Sequence, residues 1–267
     1  MRQMAKVLVL CLTAATSLLL VRPAASGSTP SIVDTTTHYW TYHLLTPIVM
    51  PTPIQVSDQF LPNLTPVQVD SLLRLVNWVR KNESTVRDTN IHFTWWNVVP
   101  KIPIGKTVVV RNQFGQFETR VENLEFLLAP AWKNLERTGL PPASHYLCYR
   151  AVGPAPTPPV SLIDEWRQDF QPVLTMEYLC APCLKRHGLD FVPIDTTAHF
   201  ALYGIHPISE VFVPLVQDQF VHLQMPVKQG GGGRVPLSEY LLVPSVKFEA
   251  PTSTKRTSWG KLKIRYR

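Results

Sequence analysis

Cysteine and histidine are the residues of this chain whose spacing could do chemistry. Cys180-Ala-Pro-Cys183 has the C-x-x-C spacing of a redox pair, and with His187 close by it also offers zinc ligands. A redox pair needs its first cysteine at a helix N-terminus, where the thiolate is stabilised, whereas Cys180 sits in a strand-like stretch. The zinc reading lacks a second ligand pair at metal spacing. Cys148 and Cys180 each stand where corresponding stretches of the chain carry mostly apolar residues, Thr41, Trp95 and Leu202 for the first and Val76, Leu128 and Leu242 for the second. A structural disulfide between Cys148 and Cys180 on neighbouring strands is therefore expected, with Cys183 as the odd thiol.

The histidines raise a second possibility. His38, His92, His145 and His199 are 54, 53 and 54 residues apart, and three of them follow an aspartate by four residues: Asp34, Asp88 and Asp195. Were they arranged about one axis, four imidazoles could converge on a transition metal, with the carboxylates behind them. The competing reading is that each aspartate caps a turn and each histidine satisfies backbone groups at a strand entrance. Pro141 stands where the third unit would need its carboxylate, which favours the turn cap. The Asp58-Gln-Phe60 type of box reads the same way, as a turn carboxylate beside a packed aromatic. Gln229 to Arg234 is glycine-rich but lacks the Lys-Ser/Thr ending of a phosphate loop, so it reads as a hairpin tip. No Ser-His-Asp set, paired carboxylates or cofactor motif stands out, so no reaction and no cofactor is assigned.

These residues recur in register, and the recurrence defines the elements that must position them. Each histidine is followed by an aromatic residue (Tyr39, Phe93, Tyr146, Phe200) and by another at the fourth place after it (Tyr42, Trp96, Tyr149, Tyr203). A second box follows: Asp58-Gln-Phe60, Asn112-Gln-Phe114, Asp164-Glu-Trp166 and Asp218-Gln-Phe220. A third closes each unit, Leu75 to Lys81, Leu127 to Lys133, Leu179 to Lys185 and Leu241 to Lys247. A period of about 50 residues predicts supersecondary units that bury their apolar faces only against one another. β-Branched runs such as Thr107 to Val110 and Val211 to Val213, with prolines concentrated between boxes, predict an all-β chain of three to four strands per unit. One segment argues locally for a helix: Thr65-Pro66, followed by Leu72, Leu75, Val76 and Val79 at near-helical spacing. Val69 to Asn82 nevertheless aligns without a gap to Val121 to Asn134, and we read both as strand because tertiary context overrides propensity.

Residues 1–28 read as a secretory leader: a basic start at Arg2 and Lys6, an apolar run from Val7 to Val21, and small residues at Ala24-Ala25-Ser26. An uncleaved anchor is the alternative. No later stretch approaches the length of a membrane span, so the mature chain is expected outside the cytoplasm, secreted, periplasmic or at the cell surface. The net charge of +7 belongs to the ends, because the leader holds three basic residues and the segment after Glu249 six with no acid. Without these nine, 17 basic residues face 19 acidic ones, so no nucleic-acid surface is expected on residues 29–250. At the C-terminus Lys261, Lys263, Arg265 and Arg267 alternate with apolar residues. They would edge a docked strand, or hold the protein to an anionic lipid, polysaccharide or nucleic acid.

The boxes H-Y-L-C-Y, D-x-[FW] and L-C-A-P-x-x-K resemble those of secreted bacterial domains of unknown function, over residues 38 to 247 and best in the third unit. The resemblance implies export and a β-rich repeat with no established activity. Residues 29–140 and 141–250 are expected as two β domains, each a pair of units in a barrel or sandwich, with residues 251–267 as a basic tail. A single closed four-unit assembly is the rival. The expected role is a non-catalytic binding or structural one toward an extracytoplasmic ligand or protein. A secreted hydrolase acting on carbohydrate or peptide between units is the alternative.

Overall fold

A computed structural model describes residues 37–250, apart from 83, 87, 135–137, 157–158, 207–209, 225–226 and 230–238. The expected leader, Asp34 and the basic residues Lys261, Lys263, Arg265 and Arg267 lie outside the described residues. The described chain is all-β: β1 (His38–Ser57), β2 (Thr65–Lys81), β3 (His92–Val99), β4 (Pro103–Asn112), β5 (Gly115–Lys133), β6 (His145–Gly153), β7 (Val160–Ile163), β8 (Gln168–Gln171), β9 (Val173–His187), β10 (Leu189–Phe191), β11 (His199–Ile205), β12 (Glu210–Phe212), β13 (Leu215–Gln217), β14 (His222–Gln224), β15 (Val227–Gln229) and β16 (Glu239–Glu249). β2 spans the segment with helical spacing, so the helix that Thr65-Pro66 and its leucines announce locally does not form. Asn82 and Asn134, which end the aligned segments, both have positive φ, 45° and 55°.

All ladders are antiparallel, and the pairing path returns to its start. It runs β1, β2, β3, β5, β6, β9, β11, β16 and back to β1, which pairs through Tyr39 and Trp40 with Leu242 and Leu241. The sheet therefore passes straight through residue 140, where we expected a boundary between two β domains: β5 and β6 form one ladder across it. The physical reason lies in the edges. A pair of units ending at residue 140 would leave the outer edges of β1 and β5 unpaired, and closing the path through all eight strands removes both. The arms outside this circuit pair with strand ends elsewhere in the circuit: β1 with β9, β4 with β16, β7 with β2 and β13 with β5.

Because successive side chains point to opposite faces, each histidine and the aromatic after it go different ways. Tyr39, Phe93, Tyr146 and Phe200 meet on one face, edge to face or tilted, with neighbouring centroids 5.0 to 5.8 Å apart. Val76, Trp95, Leu128, Cys148, Cys180, Leu202 and Leu242 belong to the same buried cluster. The opposite face carries a larger cluster, in which Tyr42, Trp96, Tyr149 and Tyr203 pack against Phe60, Phe114, Trp166 and Phe220 of the second boxes.

Candidate functional site

The cysteines behave structurally. Cys148 and Cys180 face each other across the β6–β9 ladder, form a disulfide with Cα atoms 4.0 Å apart, and are fully buried. Cys183 is a free, buried thiol in β9, and burial holds it well above the usual thiol range. Cys180 lies within a strand, which removes the helix N-terminus that redox chemistry would need.

The four histidines do not assemble a metal centre. No group of three or more His, Cys, Asp or Glu among the described residues could hold an ion. What converges is the neighbouring aromatic of each box, because the strand alternation sends the imidazoles to the other face. There three of them meet the second boxes: His38 contacts Gln113, His199 contacts Gln59, and His145 Nε2 is 3.0 Å from Gln219. Burial pushes His145 down to about 3 and His199 to about 4, and depresses His92 strongly, so all three are neutral. Two of the three aspartates, Asp88 and Asp195, lie among the described residues, and both cap turns. Asp88 accepts from the Asn90 N–H and Asp195 from the Thr197 N–H, at 2.8 and 2.7 Å.

The second boxes are turn caps with a further task. Asp58, Asn112, Asp164 and Asp218 each accept, through Oδ1, the N–H of the aromatic two residues on. The other side-chain atom reaches the aromatic at the fourth place after a histidine. Tyr149 donates to Asp58, Tyr42 to Asp164 and Trp96 to Asp218, while Asn112 donates to Tyr203. Burial pushes the Asp58 carboxyl up to about 6, against the lowering effect of its hydrogen bonds. The closing-box lysines lie over the second-box aromatics: Lys81 over Phe114, Lys133 over Trp166, Lys185 over Phe220 and Lys247 over Phe60, at 5.4, 4.3, 5.0 and 5.1 Å. Lys133 also pairs with Glu165. Burial lowers Lys133 to about 7 and Lys185 to about 8.

A cavity of about 400 Å³ opens on the face that carries the converging aromatics, further along the same strands. Arg74, Phe126, Tyr178 and Tyr240 line it, each the residue immediately before a closing-box leucine. The residues one place earlier are Leu73, Glu125, Glu177 and Glu239, and each glutamate has a cationic or imidazole partner: Lys101 at 3.1 Å, Arg150 at 2.8 Å and His43 at 3.2 Å. Glu239 is fully buried and accepts from Thr41 at 2.7 Å. Trp95 stacks on Phe126 at 3.5 Å and on Tyr240 at 5.5 Å. The Arg74 guanidinium lies 4.5 Å from the Trp95 ring and 4.8 Å from that of Tyr240, and its Nη2 is 2.9 Å from His43 Nε2.

None of these cavity residues is a site residue that the motifs predict. The signal was present as a column of aligned positions: three aromatics before the closing leucine with an arginine as the exception, and three glutamates before them with a leucine as the exception. No helix among the described residues is long and apolar enough to cross a membrane. No family model, curated protein or solved structure matches the chain.

Proposed function

We propose that this is a non-catalytic binding protein that works outside the cytoplasm and holds a small ligand in the aromatic cavity. In this reading it is built from four copies of one unit around a single axis. Support for the four units comes from equivalent contacts: each second box reaches the same class of aromatic, and each closing lysine covers a second-box ring. Support for export comes from the buried Cys148–Cys180 disulfide, a bond that persists in oxidising compartments.

The observation that carries the binding role is where the units stop being alike. Turn caps, lysine covers and converging aromatics are shared, as structural devices should be. The lining of the cavity departs from the pattern at Leu73 and Arg74, where the other units have glutamate and an aromatic. A concave space of this volume, mostly apolar with a few placed polar groups, has the character of a small-molecule site. The histidine that lines the cavity, His43, faces Glu239 and Arg74, and no cysteine or serine among the described residues lines it, which favours binding over nucleophilic hydrolysis.

A neutral fluorescent apolar dye such as Nile red should bind with one-site saturation. Leu45→Trp, at a half-exposed position on the rim, should weaken that binding at least tenfold while leaving the thermal midpoint unchanged. Equal binding by wild type and variant would place the dye elsewhere and count against the cavity.

A further inference from the structure

We propose that Lys133 and Asn77 join in an isopeptide bond, the Lys133 amine displacing ammonia from the Asn77 side-chain amide while Glu165 carries the proton. The bond forms once per chain and owes nothing to the cavity.

Two departures from the pattern of the boxes meet at Lys133. Glu165 stands where the other second boxes carry Gln59, Gln113 and Gln219, and Asn77 stands where the other closing boxes carry Ala129, Ala181 and Val243. Both reach the same amine: Lys133 Nζ pairs with Glu165 and donates to Asn77 Oδ1 at 2.9 Å. The amide carbon is bonded to that oxygen at about 1.2 Å, so it lies within about 4 Å of Nζ. Asn77 Nδ2 donates to Asp164 Oδ2 at 3.2 Å, which turns the amide oxygen toward the lysine. Three elements supply the three groups: Asn77 comes from β2, Lys133 from the end of β5 and Glu165 from the turn between β7 and β8. The fold thus holds an amine, a carbonyl carbon and a carboxylate side by side, which removes the entropy cost of bringing them together.

The surroundings suit the chemistry. An ammonium has no lone pair, so attack needs the neutral amine, and a desolvated lysine supplies it. The Lys133 side chain is 2% exposed, with the Trp166 ring 4.3 Å from Nζ, and burial lowers the amine to about 7, so a large fraction is uncharged at neutral pH. Asn77 is fully buried, which keeps water from competing for its carbonyl. The Nζ lone pair forms the bond to Asn77 Cγ, and one Nζ proton passes to the Glu165 carboxylate. The tetrahedral carbon then expels the amide nitrogen, which takes that proton from Glu165 and leaves as ammonia. One carbon–nitrogen bond forms and one breaks, Glu165 is regenerated, and no oxidant or reductant is needed. The resulting amide closes a chain separation of 56 residues and ties β2 to β5 across β3, with which both pair. The ion pair and the depressed amine of Lys133 belong to the chain before this bond forms.

The test is mass spectrometry of the full chain, incubated folded at neutral pH, then reduced, denatured and digested with trypsin. Wild type should yield a branched peptide that joins the segment around Asn77 to the segment around Lys133, lighter than the two together by one ammonia and uncut after Lys133. Lys133→Arg, whose guanidinium stays protonated, and Asn77→Ala, the residue found there in two other closing boxes, should yield only separate peptides. Glu165→Gln, which restores the residue of the other second boxes, should lower the linked fraction by roughly tenfold or more with the far-ultraviolet circular dichroism unchanged. Separate peptides from folded wild type would overturn the bond. A branched peptide joining Lys133 to Glu165 with loss of water would overturn Asn77 as the acceptor, and undiminished linkage in Glu165→Gln would overturn Glu165 as the proton carrier.

Discussion

Asp58 is a carboxylate that the fold holds in an unfavourable place. Burial raises it to about 6, yet it must accept from two turn N–H groups and from the Tyr149 hydroxyl. The box at Asn112 meets the same demand with an amide, which caps its turn and donates to Tyr203. Asp58→Asn should therefore change the unfolding free energy at neutral pH by no more than about 1 kcal/mol, whereas Asp58→Ala should cost about 2–3 kcal/mol by orphaning buried donors. Chemical denaturation of the two variants checks this, and a large loss with asparagine would mean the charge itself is needed. The disulfide makes a separate claim. It closes a chain separation of 32 residues, so Cys148→Ala with Cys180→Ala should cost on the order of 3 kcal/mol. Cys183, buried and held well above the usual thiol range, should resist iodoacetamide in the folded protein and react on unfolding. Mass spectrometry before and after denaturation reads both.

At the level of elements, the clasp between a closing strand and the next second box joins segments distant in sequence. Lys133 lies 4.3 Å from the Trp166 ring and 2.9 Å from Asn77 Oδ1, so β5, the turn before β8 and β2 meet at one side chain. Trp166→Ala should destabilise by on the order of 3 kcal/mol and release Lys133 to solvent. Thermal unfolding measures the first, and faster acetylation of Lys133 the second. The strands were legible because each box residue has one obligatory contact, and such contacts preserve register. β2 shows the limit. Its local spacing is that of a helix, and only its alignment to β5 indicates a strand, because the stabilisation comes from ladders with β1 and β3 rather than from its own residues. The cavity was illegible for the opposite reason. Arg74 and Leu73 break the column that is otherwise aromatic and acidic, and a residue that does not recur carries no register signal.

Across the whole molecule, the closed pairing path leaves no internal seam. Unfolding should be a single cooperative transition, and a fragment of residues 29–140 should not fold alone, since β5 would lose β6 and β1 would lose β9 and β16. Two calorimetric transitions would restore the two-domain division. Period and box spacing predict units that pack on one another, but where the pairing path closes depends on strand twist and edge pairing, which no single unit encodes. Stability should also rise from pH 7 to pH 9. Lys133 and Lys185 are depressed to about 7 and about 8 against an ordinary value near 10.5, so in that window the unfolded chain binds protons that the folded one does not. Stability therefore increases with pH until Cys183 and the buried tyrosines, all raised, begin to ionise in the unfolded chain and reverse the trend. Melting temperatures at pH 7, 8 and 9 check the sign, and a falling series would contradict it.

The four aromatics that meet on one face share a buried cluster with the disulfide. Tyr39, Phe93, Tyr146 and Phe200 pack there with Cys148, Cys180, Leu202 and Leu242, and every one of them is buried. On the binding reading proposed above, this packing closes the cavity from below, so a ligand enters and leaves by the same rim. Exchange should then be strictly sequential, with a departure rate that does not change with competitor concentration.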